Sequence, residues 1–273
     1  MTSALVSAED LKALVNNPKV KLLDASYNLP PTDFVIGNAV EFDIDDVADP
    51  AAALAHTLPS PNVFAAKVSA LGISNDDHVI IYDRMGMAMA ASRAWWMFRV
   101  FGHDNVQVLD GGLPAWLLAG GDMKPLPEMP PTPAVFKAGF RPELFRRHDE
   151  MVRNLETKEF TVLDARDARR YTGEVPESRP GVESGHIPGS LSLPYATLFD
   201  VETGHLKQGE ALKSALKTAP DGPIAISCGS GVTACVVALG LYEMGRKDAA
   251  VYGGSWTEWG GDPALPKKRG SQP

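Results

Sequence analysis

The chain has 273 residues, 44% apolar and 22% charged, with 25 glycines and 22 prolines; this is the composition of about two folded domains and excludes a disordered or collagen-like chain. Two cysteines exclude a disulfide framework and a four-thiolate zinc site, and a net charge of −8 excludes a broad surface for nucleic acid or anionic lipid. The opening MTSALVSAED has neither the basic start nor the apolar core of a secretory signal, and no stretch of ~18 residues is apolar enough to span a membrane. A reducing cytoplasm is the expected compartment, where a thiol serves chemistry rather than cross-linking.

In chain order, the first strand signal is Val20-Lys-Leu-Leu-Asp24-Ala25, followed by His78-Val-Ile-Ile-Tyr-Asp83, a helical stretch over 91–101, and Leu109-Asp-Gly-Gly-Leu-Pro-Ala-Trp116. The same series then returns. Thr161-Val-Leu-Asp164-Ala165 repeats the first block 140 residues later, Pro223-Ile-Ala-Ile-Ser-Cys228 the second at an offset of 145, and Tyr252-Gly-Gly-Ser-Trp-Thr-Glu-Trp259 the third at 143. Three matched blocks in one order make the chain a tandem duplication, with loop insertions accounting for the drift. Between the copies, Lys124-Pro-Leu-Pro-Glu-Met-Pro-Pro-Thr-Pro133 has five prolines in ten residues and reads as an extended connector. The expected organisation is a first domain over 1–122, a linker over 123–143, a second domain over 144–262 and a tail over 263–273. Short apolar β-branched runs (79–82, 161–163, 224–226 and 249–252) alternate with helical stretches such as 233–244, which predicts an α/β fold, each domain an open parallel sheet with helices on both faces. Ligands bind such sheets beyond the carboxyl ends of the strands, where Asp83 and Cys228 fall.

The sharpest local pattern is Ser227-Cys228-Gly229-Ser230-Gly231-Val232-Thr233-Ala234-Cys235. A strand ends, a glycine-rich loop turns, and a helix opens near Thr233. The unpaired N–H groups of a helix start and a loop free to curl form an anion nest, in which a thiol is expected to ionise more readily than a free cysteine and a persulfide anion to be held. The alternative is a small buried residue in a strand-to-helix turn. A cysteine phosphatase needs an arginine at position 234, which is alanine, and the six residues between Cys228 and Cys235 do not suit a thioredoxin-like pair. Cys235 reads as packing on the core face of the helix.

The loop Cys-Gly-Ser-Gly-Val-Thr-Ala over 228–234 resembles the active-site loop of two-domain sulfurtransferases of the rhodanese superfamily, most closely the mercaptopyruvate type. Gly185-His-Ile-Pro-Gly189, Asp83-Arg-Met-Gly86, Asp110-Gly-Gly-Leu-Pro-Ala-Trp116 and Gly254-Ser-Trp-Thr-Glu-Trp259 extend the resemblance over nearly the whole chain. It implies tandem rhodanese-like domains, the first without a catalytic cysteine because Asp83 stands in its place. Asp83 itself reads as the cap of a loop beside Arg84. Thiosulfate-using relatives carry basic residues just after the cysteine; here Gly229 and Ser230 occupy those positions, which favours 3-mercaptopyruvate as donor.

The arginine-rich segment 164–179 reads either as a solvated charged face or as a carboxylate-capturing site built from planar guanidinium forks. The resemblance implies the second, through Arg170 and Arg179, nine residues apart, with Ser178 where proline is more usual. Arg166 suits a structural ion pair, Arg169 is a weaker candidate, and His186 reads as a turn residue. His56 taken alone is a surface or core histidine, but Asp43-Ile-Asp45 followed by His56-Thr-Leu-Pro59 resembles the first domain's contribution to the active site. It implies a relay in which Asp45 fixes the tautomer of His56 and His56 moves protons through Ser230. The site is then expected at the face between the two copies.

The resemblance thus implies a transferase that takes sulfur from 3-mercaptopyruvate onto Cys228 as a persulfide, releases pyruvate, and passes the sulfur to a thiol, thioredoxin or cyanide. Gly229, Gly231, Val232 and Thr233 of the loop are expected to contact substrate, with no metal or organic cofactor because no cluster has ligand spacing. The alternatives are a thiosulfate sulfurtransferase, or a persulfide carrier without turnover.

Overall fold

The computed structural model describes residues 3–273, which divide into two compact units. The first comprises the chain up to Ala51 together with Leu58–Arg141 and Asp200–Leu206; the second comprises Ala52–Thr57, Pro142–Phe199 and Lys207–Pro273. Each half of the chain therefore lends a short segment to the unit built mainly by the other.

In the first unit, strands β1 (Leu5–Val6), β2 (Val20–Asp24), β3 (Phe34–Ile36), β4 (Val40–Glu41), β5 (His78–Tyr82), β6 (Val106–Leu109) and β7 (Met123–Pro125) alternate with helices α1 (Ala8–Leu14), α2 (Pro61–Ala70), α3 (Met89–Val100) and α4 (Gly112–Leu118). Five strands form a parallel sheet in the order β1-β6-β5-β2-β4, and β3 pairs with β7 in a separate antiparallel ribbon. Residues 79–82 of β5 are fully buried, as its unbroken apolar run requires of a central parallel strand. Helix starts follow their side chains: Ser7 accepts from the Asp10 N–H at 3.0 Å, and Ser60 caps α2 with Pro61 in its first turn.

The second unit repeats the plan with β8 (Phe145–Arg146), α5 (His148–Thr157), β9 (Thr161–Asp164), α6 (Ala168–Thr172), β10 (Leu191–Ser192), α7 (Gly209–Ala215), β11 (Ile224–Ser227), α8 (Ala234–Glu243), β12 (Ala250–Tyr252) and α9 (Ser255–Gly261). Its sheet order, β8-β12-β11-β9-β10, matches the first strand for strand, and every pair is parallel. The strand order leaves the sheet centre in opposite directions, which with crossovers of one hand puts helices on both faces. The duplication reaches individual hydrogen bonds. Ala25 N–H donates to the Tyr82 carbonyl and Ala165 N–H to that of Ser227, both at 2.8 Å; Leu113 N–H donates to the Asp83 carbonyl and Trp256 N–H to that of Cys228, both at 2.9 Å. Asp83 and Cys228 are thus structural equivalents.

Two segments that read as connector and tail carry structure. Residues 123–125 pair with β3, Arg141 N–H donates to the Val100 carbonyl, and Phe136 packs edge-on against Phe64 and Phe98. The segment groups with the first unit as far as Arg141, although Leu126 and Met129 between its prolines stay exposed and only Phe136, beyond the last of them, buries. In the tail, Lys268 exchanges both backbone hydrogen bonds with His186, at 2.9 and 3.0 Å, and Gly270 N–H donates to the Thr172 carbonyl.

Candidate active site

Cys228 is the first residue beyond β11, at the carboxyl edge of the second sheet, and its side chain is buried. Its backbone is pinned from α9. Cys228 N–H donates to Ser255 Oγ at 3.1 Å, Ser255 Oγ donates to the Tyr252 carbonyl at 2.8 Å, and Trp256 N–H donates to the Cys228 carbonyl. Gly231 N–H donates to Cys228 Sγ at 3.1 Å, with Gly231 at φ +80°, a left-handed conformation that costs glycine nothing. Among the described residues it is the one hydrogen bond to this sulfur, and at the start of α8 the N–H groups of Cys235 and Val236 donate to the carbonyls of Val232 and Thr233. Cys235 is the second residue of α8, fully buried, with Sγ donating to the Gly231 carbonyl at 3.2 Å.

An open cavity of about 340 Å³ lies over the sulfur. Cys228, Gly229, Ser230, Val232 and Thr233 form one wall, and Arg170, Ser178 and Arg179 the other. Gly229 lets the two walls approach: a Cβ there would stand 3.4 Å from Arg170 Nη2 and 3.7 Å from Arg179 Nη1. Both guanidinium groups therefore converge beside the cysteine.

The two arginines are held differently. Arg170, near the end of α6, donates from Nη2 to Glu177 Oε2 at 2.5 Å and from Nε to Glu177 Oε1 at 3.3 Å. Glu177 is itself buried and accepts from Arg166 Nη1 at 2.9 Å; Arg166, fully buried, also forks onto Asp164, donates to the Gly185 carbonyl and lies 4.5 Å over the Trp256 ring. Burial works against the charge on Arg170, but Glu177 outweighs it and holds the guanidinium pKa above its ordinary value, with Asp164 and Cys228 adding to the effect. Arg179 instead donates from Nη1 to the Thr257 hydroxyl at 2.9 Å. Arg169 is exposed beside Glu174 on the surface. Tyr195 approaches from the loop after β10; burial and the neighbouring Cys228 push its phenol pKa up.

The relay residues are distributed over both units. His56 is buried, at φ +60°, in the segment that belongs to the second unit, which also holds Ser230. The histidine thus groups with the unit that contains Cys228, not with the first unit. Asp45 is exposed in the first unit and acts on Tyr27, whose phenol pKa is raised by burial and by that carboxylate. His186 is buried and stacks on Tyr171 with ring centroids 3.8 Å apart, a structural role. Asp83, the counterpart of Cys228, accepts from the N–H groups of Met85 and Gly86 at 3.1 and 3.0 Å. Glu177, Ser255 and Thr257 escaped the sequence reading, although the strings Pro176-Glu-Ser-Arg179 and Gly254-Ser-Trp-Thr-Glu-Trp259 contain them.

Residues 7–119 and 147–262 each match the Rhodanese-like domain. The chain belongs to the rhodanese family. Among its relatives, thiosulfate/3-mercaptopyruvate sulfurtransferase 2 of Arabidopsis thaliana is 40% identical, with the alignment covering 96% of this chain and 85% of that protein. The 3-mercaptopyruvate sulfurtransferase of Mus musculus is also 40% identical (95% and 91% covered), as is the thiosulfate sulfurtransferase of Bos taurus (94% and 91%). Overall identity therefore does not separate the two donors. The crystal structure of SseA from Escherichia coli, a 3-mercaptopyruvate sulfotransferase, superposes with a TM-score of 0.82 at 34% identity, over 93% of this chain and 99% of that one. Tum1 of Saccharomyces cerevisiae gives 0.88 at 28% identity over the whole of both chains. This rhodanese carries two repeats, with both of its cysteines in the second. Among the described residues no helix is long and apolar enough to cross a membrane.

Proposed function

We propose that this chain is a 3-mercaptopyruvate sulfurtransferase whose sulfur carrier is Cys228. The observation that carries the reading is the convergence of Arg170 and Arg179 on Gly229, within one cavity beside the Cys228 sulfur. Guanidinium forks so placed bind the carboxylate and ketone oxygens of an α-keto acid and turn its sulfur toward the thiolate. The Cys228 thiolate attacks that sulfur, forming an S–S bond. The C–S bond breaks, its electron pair passes to pyruvate enolate, and the enolate takes the proton of the substrate thiol. Pyruvate leaves and a persulfide anion remains on Cys228. Gly231 N–H and the two arginines stabilise the negative charge at either stage.

His56 and Ser230 are the proposed route for the proton that reaches the enolate; for Asp45 the observed neighbour is Tyr27, and Asp45→Asn tests its part in the relay. Gly229, Gly231, Val232 and Thr233 form the contact wall. A small thiol, thioredoxin or cyanide takes the outer sulfur by attack on it, and this thiol chemistry suits a reducing compartment such as the cytoplasm.

The equal identity to a thiosulfate sulfurtransferase supports thiosulfate as a second donor. Gly229 and Ser230 put no cation at the loop mouth for that dianion, so kcat/KM is expected to favour 3-mercaptopyruvate by at least tenfold. Steady-state comparison of the two donors with a common acceptor decides the matter.

A further inference from the structure

Arg179 is the cation at this site that no carboxylate neutralises among the described residues. Its observed partner is the hydroxyl of Thr257, the third residue of α9. A guanidinium only donates, so Thr257 Oγ1 accepts from it, and the single hydroxyl proton is left for another acceptor. That acceptor is the Gly229 carbonyl, 2.6 Å away, which also receives the Thr257 backbone N–H at 2.9 Å. Arg179, Thr257 and the residue after Cys228 thus form one chain whose donor–acceptor polarity is fixed throughout.

We propose that Thr257 is a positioning residue that sets the affinity for the α-keto acid by holding Arg179 in its carboxylate-binding pose; the inference rests on the function proposed above. Arg170 needs no such help, because Glu177 fixes it. Arg179 is a long side chain whose rotamer freedom has to be lost when it grips a carboxylate, and the hydroxyl removes part of that freedom beforehand. Loss of the hydroxyl leaves the loop tied, because the Thr257 N–H still reaches the Gly229 carbonyl. The effect is therefore selective for Arg179 and for donors bearing a carboxylate.

The test is a set of four variants, Thr257→Val, Thr257→Ser, Arg179→Ala and Arg179→Ala/Thr257→Val, assayed with both donors and checked by thermal unfolding. Thr257→Val is expected to raise KM for 3-mercaptopyruvate about tenfold with kcat within twofold, the size of one charge-assisted hydrogen bond. Thr257→Ser is expected to keep KM within twofold of wild type, and KM for thiosulfate to change less than threefold in either. In the Arg179→Ala background the valine change is expected to add less than twofold, since a residue acting through Arg179 has nothing left to act on. Additive losses, an equal loss in the serine variant, or an unchanged KM in the valine variant each overturn the assignment. If valine does not fold, Thr257→Ala takes its place in the same cycle. Wild-type protein that forms no persulfide from 3-mercaptopyruvate overturns instead the function on which the inference rests.

Discussion

Arg170 Nη2 and Glu177 Oε2 lie 2.5 Å apart, and the carboxylate that holds Arg170 is held in turn by Arg166 at 2.9 Å. One buried acid thus offsets the charge of Arg170, leaving Arg179 as the cavity's cation with no carboxylate partner among the described residues. Glu177→Gln removes that charge while keeping the shape. It is expected to destabilise the fold by about 3 kcal/mol, because two cations remain around a neutral amide. It is also expected to lower KM for dianionic thiosulfate relative to that for 3-mercaptopyruvate. Denaturant unfolding and donor kinetics read the two effects separately.

Arg179→Ala removes one fork. A charge-assisted contact to a carboxylate is worth ~1.5–3 kcal/mol, or roughly 10–150-fold. KM for 3-mercaptopyruvate is expected to rise by that factor with kcat less changed, since the ground state already uses the contact. Arg170→Lys is expected to lose activity too, because an ammonium keeps the charge but not the bidentate geometry toward Glu177. Thiosulfate turnover measured in parallel is expected to fall less in both variants.

Both thiols touch Gly231: its N–H donates to Cys228 Sγ and its carbonyl accepts from Cys235 Sγ. They are not equivalent in chemistry. Cys228→Ser is expected to abolish transfer from every donor, because a hydroxyl does not ionise near neutral pH. Cys235→Ser keeps a donor for Gly231 and is expected to retain most activity, with some stability lost to a hydroxyl in a packed helix. Single-turnover assays of the two variants give the comparison.

Burial pushes the Asp83 carboxyl up to about 6, against the pull of the Gly86 and Met85 N–H groups. The folded state therefore binds this proton more tightly than the unfolded chain, where the value is 3.8. Its stabilising contribution is full below about pH 4 and lost as pH rises through 6. Asp83→Asn keeps an acceptor for the two N–H groups without the charge. It is expected to be more stable than wild type at pH 8, by up to ~3 kcal/mol, and equal to it near pH 4. Unfolding midpoints across this range report the difference directly.

The duplication, the parallel α/β sheets and the cysteine loop were legible because each is written locally: β-branched runs, a glycine-rich turn and an amphipathic or apolar helix need only neighbours along the chain. The pairing of Arg170 with Glu177 spans seven residues and hides in an arginine-rich string that composition alone assigns equally well to a solvated face. Thr257 lies 78 residues from Arg179, and only the fold of α9 against the loop brings them together. The grouping of 52–57 with the second unit and of 200–206 with the first is likewise invisible to periodicity, because both segments are short and irregular. The proline run itself is exposed at Leu126 and Met129, and the packing of Phe136 just beyond it is a long-range contact that proline content does not announce.

The most direct test is the mass of the protein after incubation with 3-mercaptopyruvate and removal of small molecules, with the released pyruvate counted. Wild type is expected to gain one sulfur atom on Cys228 for each pyruvate, and to lose it on addition of cyanide or a thiol, while Cys228→Ser gains none. No added sulfur in wild type, or the same gain in Cys228→Ser, would contradict the account.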